Sequence, residues 1–204
     1  LIRRTSISHT NITLKNNSDW KILDIGCGYT ANNYATEIAD TKDLSSFYFN
    51  KKFTKINKKV LPFKDKEFDY VIASHVVEHV EDFEFFLKEL ERISNKGYIE
   101  LPSRLGDNLV FENTKDHIWW FIFDDKNNEI VASLKNQLID PFLTVSTAKI
   151  LEQIFRESLV IELEWEKTIE YKINQSIRND KFKKISFLKL IKKYFSKRIR
   201  MLFN

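Results

Sequence analysis

KILDIGCGYT, residues 21–30, decides how the rest of the chain is read. Its first half is apolar and rich in β-branched residues, as expected of a strand buried on both faces. It stops at Gly26 and Gly28, which flank Cys27. Glycines at the carboxyl end of a strand permit positive φ and let a ligand approach backbone N–H groups. Asp24 interrupts the apolar run two residues before the first glycine. A lone buried acid is costly unless paired, so Asp24 is expected to face a ligand crevice and orient the loop or an amine. The plainer reading, a tight strand-to-helix turn, leaves that acid unexplained.

Working outward, strands and helices take turns. FDYVIAS (68–74) and GYIELPS (97–103) read as further buried strands, the second ended by Pro102. Between them Phe83, Phe86, Leu87, Leu90 and Ile93 recur at helical spacing, with Asp82 placed to cap the helix and Phe85 and Phe86 to begin its buried face. Strand, helix, strand implies a parallel crossover. HIWWFIFDD and EIVASLK, joined by KNN, predict a hairpin over about 117–135, and TVSTAKILEQIFRES predicts an amphipathic helix. VIELEW and TIEYKI alternate apolar and charged residues and predict a second hairpin. The fold expected is α/β: a doubly wound, Rossmann-like, mostly parallel sheet with helices on both faces, antiparallel late strands and a basic amphipathic C-terminal helix.

Length and composition agree with one such domain. The chain has 204 residues, 43% of them hydrophobic, enough to build a core. One cysteine excludes an internal disulfide and a zinc–thiolate cluster, and LIRRTSISHT lacks the apolar core of a signal peptide. A reducing cytoplasm is therefore expected. The net charge of +4 hides an asymmetry: residues 178–204 carry +9, leaving −5 for residues 1–177. The domain is accordingly read as residues 1–177 with a basic tail at 178–204. In that tail Ile185, Leu188, Phe195, Ile199 and Leu202 keep a helical spacing opposite lysines, the pattern of a helix lying in a membrane interface. A C-terminal helix packed on the body is the competing reading. Nucleic acid is disfavoured, because an acidic body supplies no extended positive groove.

The segment LPFKDKEFDYVIASHVVEHVED (61–82) adds specificity to the glycine loop. Together LDIGCG and LPF...FD.V......EH resemble the class I S-adenosylmethionine-dependent methyltransferases, over roughly residues 20–103. The resemblance implies that Asp24, Gly26, Cys27 and Gly28 hold the methionine part of S-adenosylmethionine, with the acid near its amino group. It implies an acid for the ribose hydroxyls, assigned to Asp40 with Asp43 as rival. It implies Asn57 as acceptor from the adenine amine, and Ser74 and His75 beside the reactive sulfonium. The interval from Gly28 to Asp40 is short for this family and predicts a reduced first helix.

Two other motif readings compete. His75-Val76-Val77-Glu78-His79 spells H-x-x-E-H, two imidazoles one helical turn apart as in an inverted zinc protease. No third ligand is signalled nearby, and no metal is expected. Gly26, Gly28 and Ala31 spell the dinucleotide fingerprint G-x-G-x-x-A, but the following acid comes too soon. The methyltransferase resemblance implies that a base is needed only for a hydroxyl or protonated amine acceptor, with His75 and His117 as the candidate catalytic residues. Trp119 and Trp120 are read either as a stacking surface or as hairpin core, and Arg104 either as a partner for an acidic substrate or, in preference, as a solvated turn residue. The function expected is O- or N-methylation of a small-molecule, sugar or lipid-linked acceptor, in the cytoplasm or peripherally on the inner membrane face, with an anionic membrane as partner of 178–204. The alternatives are a non-catalytic Rossmann-like binding module and a membrane-surface adaptor acting through its tail.

Overall fold

The structure, a computed structural model, describes residues 1–174 and 184–202. In chain order the first half comprises β1 (Ile2–Arg4), α1 (Ile7–Asn16), β2 (Ile22–Ile25), β3 (Glu37–Asp40), β4 (Lys52–Lys55), β5 (Tyr70–Ser74), a 3-10 turn (Val77–His79), α2 (Phe83–Ile93) and β6 (Lys96–Pro102). There follow α3 (Arg104–Leu109), α4 (Asn113–Asp116), β7 (Trp119–Asp124), β8 (Glu129–Leu134), α5 (Val145–Leu159), β9 (Val160–Glu166), β10 (Tyr171–Ile173) and α6 (Phe187–Leu202).

Seven strands form one sheet in the order β1-β9-β6-β5-β2-β3-β4. The strands from β6 to β4 run parallel, and β9 is antiparallel to both β6 and β1. A smaller sheet, β10-β8-β7, packs against one face. This is the α/β, mostly parallel architecture expected. All four residues of β2 are buried, as an apolar run at the centre of a parallel sheet requires.

On one face α2 presents Phe83, Phe86, Leu87, Leu90 and Ile93, all buried, to β2, β5 and β6 and to the small sheet. Each such side chain removed from water contributes about 1.5–3 kcal/mol. Asp82 caps this helix by accepting from Phe85 N at 3.1 Å, while Phe85 itself is only half-buried. On the other face Leu14 of α1 packs with Ile22, Ile38, Tyr70, Ile72 and Tyr98, helped by Leu44 and Tyr48 from the loop after β3. The connection from β2 to β3 contains no helix at all. The helix that covers this face comes instead from α1, upstream of the glycine loop.

Two further expectations are corrected. VIELEW and TIEYKI are not a hairpin: β9 lies inside the large sheet between β6 and β1, while β10 pairs in parallel with β8. The alternation misleads because Glu162 of β9 is buried and faces an internal charge network rather than water. His75, Glu78 and His79 do not share a helix. His75 has φ of 54°, which ends the strand abruptly, and only the 3-10 turn follows.

In α6 the residues whose surroundings are described lie largely open to solvent, among them Leu188 at 76% and Phe195 at 57% exposure. Contact with the body occurs at its start, where Phe187 stacks on Phe142 and Lys184 pairs with Asp140 at 2.7 Å. The expected boundary at residue 178, with the charges up to residue 183, lies outside the described residues. Among the described residues no helix is long and apolar enough to cross a membrane.

Candidate active site

The carboxyl ends of β2, β5 and β6 open onto a cavity of about 490 Å³. Its first wall is the glycine loop. Gly26 and Gly28 have φ of 69° and 54°. A Cβ on Gly26 would meet Val76 at 2.6 Å, whereas one on Gly28 would meet nothing within 4 Å. Gly26 is thus glycine for packing, and Gly28 leaves free space over the backbone. The loop is tied down by side chains: Gly28 N donates to Asp40 Oδ2 at 3.0 Å, and the Tyr48 hydroxyl donates to Gly28 O at 2.8 Å while accepting from Ala31 N at 3.1 Å.

Asp24 stands beneath this loop, 2% exposed. Its Oδ2 accepts from Asn32 N at 2.7 Å, but its Oδ1 is buried without a hydrogen-bond partner. Burial pushes its carboxyl up to about 7, against the smaller opposing effects of the Asn32 N–H and Lys51. A cation placed at Oδ1 would relieve that cost. Burial, with the charge of Asp24, pushes the Cys27 thiol up to about 12, so Cys27 is no nucleophile at neutral pH.

A charge network forms the floor. His75 Nε2 lies 3.0 Å from Glu100 Oε1 and its Nδ1 3.2 Å from Glu78 Oε1. Burial acts to lower the His75 pKa, but the two carboxylates outweigh it and raise it to about 10. His75 is therefore an imidazolium with both N–H groups engaged. For Glu100, burial acts upward, but His75, the Tyr98 hydroxyl and Arg156 together hold its carboxyl down at about 2. Arg156 of α5 also lies 3.0 Å from Glu162 Oε1, which accepts from Tyr98 at 2.8 Å. Ser74 donates to Glu100 Oε1 at 3.1 Å.

The opposite wall comes from the region between β6 and α5. His117 Nδ1 bonds Asp107 Oδ1. Asp107, fully buried, also accepts from Lys135 Nζ at 2.8 Å and from the Trp120 indole. His79 Nδ1 lies 2.9 Å from Asp116 O, and the His79 and His117 rings meet edge to face at 4.5 Å.

The cavity gathers Asp24, Gly26, Cys27, Gly28, Ser74, His75 and His117 from stretches far apart in sequence. Asp40 and Asn57 do not line it. Both Asp40 oxygens accept backbone N–H groups, Oδ2 from Gly28 and Oδ1 from Lys42 at 2.9 Å; Asp40 braces the glycine loop. Asp43 accepts from Ser45 N and Oγ, away from the cavity, and Asn57 is exposed. His75 is placed as a fixed cation, so the base role expected of it has no lone pair to act with. Trp120 is 2% exposed, and the Trp119 indole donates to Val80 O at 3.0 Å against Phe83. The tryptophans are hairpin core, and Arg104 lies over the Trp120 ring at 4.6 Å rather than in a solvated turn.

The sequence reading missed Glu100 and Tyr48. Glu100 carried the same signal as Asp24, a lone acid in an apolar strand. Tyr48 carried none.

The family profile described as "Methyltransferase domain" matches residues 23–99, the stretch from the glycine loop to β6. An uncharacterized protein of Methanocaldococcus jannaschii is 31% identical over 185 residues, covering 81% of this chain and 76% of that one. The chain belongs to the class I S-adenosylmethionine-dependent methyltransferases. Solved structures are also similar. A methyltransferase from Methanosarcina mazei is 16% identical, covers 81% of this chain and 99% of its own, and has a TM-score of 0.44. One from Aquifex aeolicus is 10% identical, covers 78% and 87%, and has a TM-score of 0.43.

The methyltransferase takes S-adenosylmethionine as cofactor, and the residues present suit it. The unpartnered Oδ1 of Asp24 offers an acceptor for an α-ammonium group, and the open space over Gly28 admits a ligand against the backbone. The cofactor supplies a methyl group already activated on sulfonium. What the chain contributes is a glycine loop braced by Asp40 and Tyr48 beside the cavity.

Proposed function

We propose that this methyltransferase transfers its methyl group to an oxygen or nitrogen of a small-molecule, sugar or lipid-linked acceptor. The observation that carries the proposal is the continuity of the cavity. Asp24 and the two glycines line the same cavity as Asn113, Asp116, His117, Lys149 and Glu152. Hydrogen-bonding and charged side chains in a space of about 490 Å³ suit a hydroxyl- or amine-bearing molecule of modest size. His117 is the candidate to receive or steer the acceptor proton, with Asp107 holding its ring.

The lysines of α6 and its exposed Leu188, Phe195 and Ile199 support docking on an anionic membrane surface. That placement favours a lipid-linked acceptor met at the cytoplasmic face.

The test is incubation of the chain with methyl-labelled cofactor and separately extracted aqueous and lipid small-molecule fractions. Label is expected in one of these fractions. Label confined to protein or nucleic acid, with S-adenosylhomocysteine bound normally, would overturn the acceptor class.

A further inference from the structure

Glu78, His79 and His117 bring one carboxylate and two imidazoles together, with ligand atoms all within 4.8 Å of one another. The partners of each side chain indicate what those atoms are free to do. His79 Nδ1 faces Asp116 O, a carbonyl that can only accept, so Nδ1 carries the proton. His117 Nδ1 faces the Asp107 carboxylate, which in turn accepts from Trp120 and Lys135. With Nδ1 engaged in each ring, Nε2 is the nitrogen left to act as a ligand. Carboxylate and carbonyl partners on the far nitrogen are what fix the ring orientation of metal-ligating histidines.

Glu78 supplies the independent observation. Its side chain is fully buried, Oε1 is taken by His75, and Oε2 is buried with no hydrogen-bond partner. An orphaned carboxylate oxygen in the interior is costly, and a cation is the partner that would satisfy it.

We propose that Glu78, His79 and His117 bind a divalent first-row transition-metal ion at the wall of the cavity. Two imidazole nitrogens and one carboxylate oxygen suit Zn²⁺, Fe²⁺ or Co²⁺ better than Mg²⁺ or Ca²⁺, which prefer all-oxygen shells. Bonds of about 2.0–2.2 Å require the three atoms, now within 4.8 Å of one another, to draw closer by about 1 Å. Three protein ligands leave at least one coordination position open. His79 and His117 line the cavity, so that position faces the space assigned to the acceptor. The pairing differs from the H-x-x-E-H reading: His75 is occupied by Glu78 and Glu100, and the missing ligand arrives from the far side of β6. A hydroxyl-bearing acceptor would bind the ion through oxygen and lose its proton to solvent more readily, so that with the ion bound His117 acts through the metal instead of receiving the proton itself; this clause rests on the methyltransferase reading, whereas the metal site does not.

The experiment uses the full chain, stripped with chelator and titrated with Co²⁺ while visible absorption is followed. One Co²⁺ per chain with d–d bands, displaced by Zn²⁺, is expected. His79→Ala and His117→Ala should abolish the bands, the isosteric Glu78→Gln should weaken uptake, and Asp107→Asn should weaken it about 10–100-fold. The histidine variants should still bind S-adenosylhomocysteine, which verifies folding, and Asp24→Asn should lose that ligand yet keep Co²⁺. No stoichiometric uptake, or uptake unchanged in folded His79→Ala and His117→Ala, overturns the site. Metal uptake without S-adenosylhomocysteine binding leaves the site standing and overturns the methyltransferase reading.

Discussion

His75 Nε2 lies 3.0 Å from Glu100 Oε1, joining the carboxyl ends of β5 and β6 directly beneath the cavity. The contact turns a histidine expected to take protons into a fixed positive charge, and gives the acid beside it a structural task.

Removing Glu100 takes one carboxylate from each of two cations, His75 and Arg156, leaving them only Glu78 and Glu162 close by. Glu100→Gln is expected to lower the unfolding free energy by about 3–5 kcal/mol at neutral pH, measured by urea denaturation. The folded carboxyl is held at about 2 against an ordinary 4.5, so its contribution is present above pH 4.5 and is lost as pH falls through 2. Wild type and variant should therefore converge in acid; a constant gap would show that the loss is not electrostatic.

Asp24 behaves in the opposite sense. Its folded pKa is raised from 3.8 to about 7, so the cofactor-free protein loses stability as pH rises from 3.8 to about 7, and the loss is complete above that value. Asp24→Asn should raise the melting temperature of the free protein more at pH 8 than at pH 5, and should weaken S-adenosylhomocysteine binding at least about tenfold, the worth of one charge-assisted hydrogen bond. In the wild type, affinity measured by calorimetry should fall below pH of about 7. Affinity indifferent to pH across that range would remove Asp24 from the ammonium site.

The two loop glycines should separate. Gly26→Ala meets Val76 at 2.6 Å in a left-handed conformation, and is expected to lower the melting temperature. Gly28→Ala meets no neighbour and carries only the backbone penalty of about 1 kcal/mol, yet should lose cofactor affinity. Equal effects on stability and binding in both variants would contradict the division.

Tyr48→Phe removes the bridge from Gly28 O to Ala31 N. A stability loss of about 1–3 kcal/mol and weaker cofactor binding are expected, read by denaturation and calorimetry. An unchanged affinity would show that the loop holds its shape without the hydroxyl.

Deletion of residues 188–204 should leave S-adenosylhomocysteine binding intact, because the described contacts of this segment's start with the body involve Phe187 and Lys184. Pelleting with anionic vesicles should be lost, while neutral vesicles should not pellet the full chain. Pelleting that survives the deletion would assign membrane contact elsewhere.

The central strands, the α2 crossover, the glycine loop and Asp24 were legible in the sequence because each depends on local chemistry. Periodicity shows which face of a helix is apolar, a Gly-x-Gly at a strand end marks a backbone left bare, and an acid in an apolar run demands a partner. The tertiary structure alone decided which partner each charged group received. His75 is held by Glu100 and Glu78 at the edge of the cavity, Asp40 braces the loop, β9 enters the large sheet, and His117 crosses to meet His79. These pairings join residues tens of positions apart, and only the packing of whole elements determines whether a charged side chain meets water, a ligand or an opposite charge.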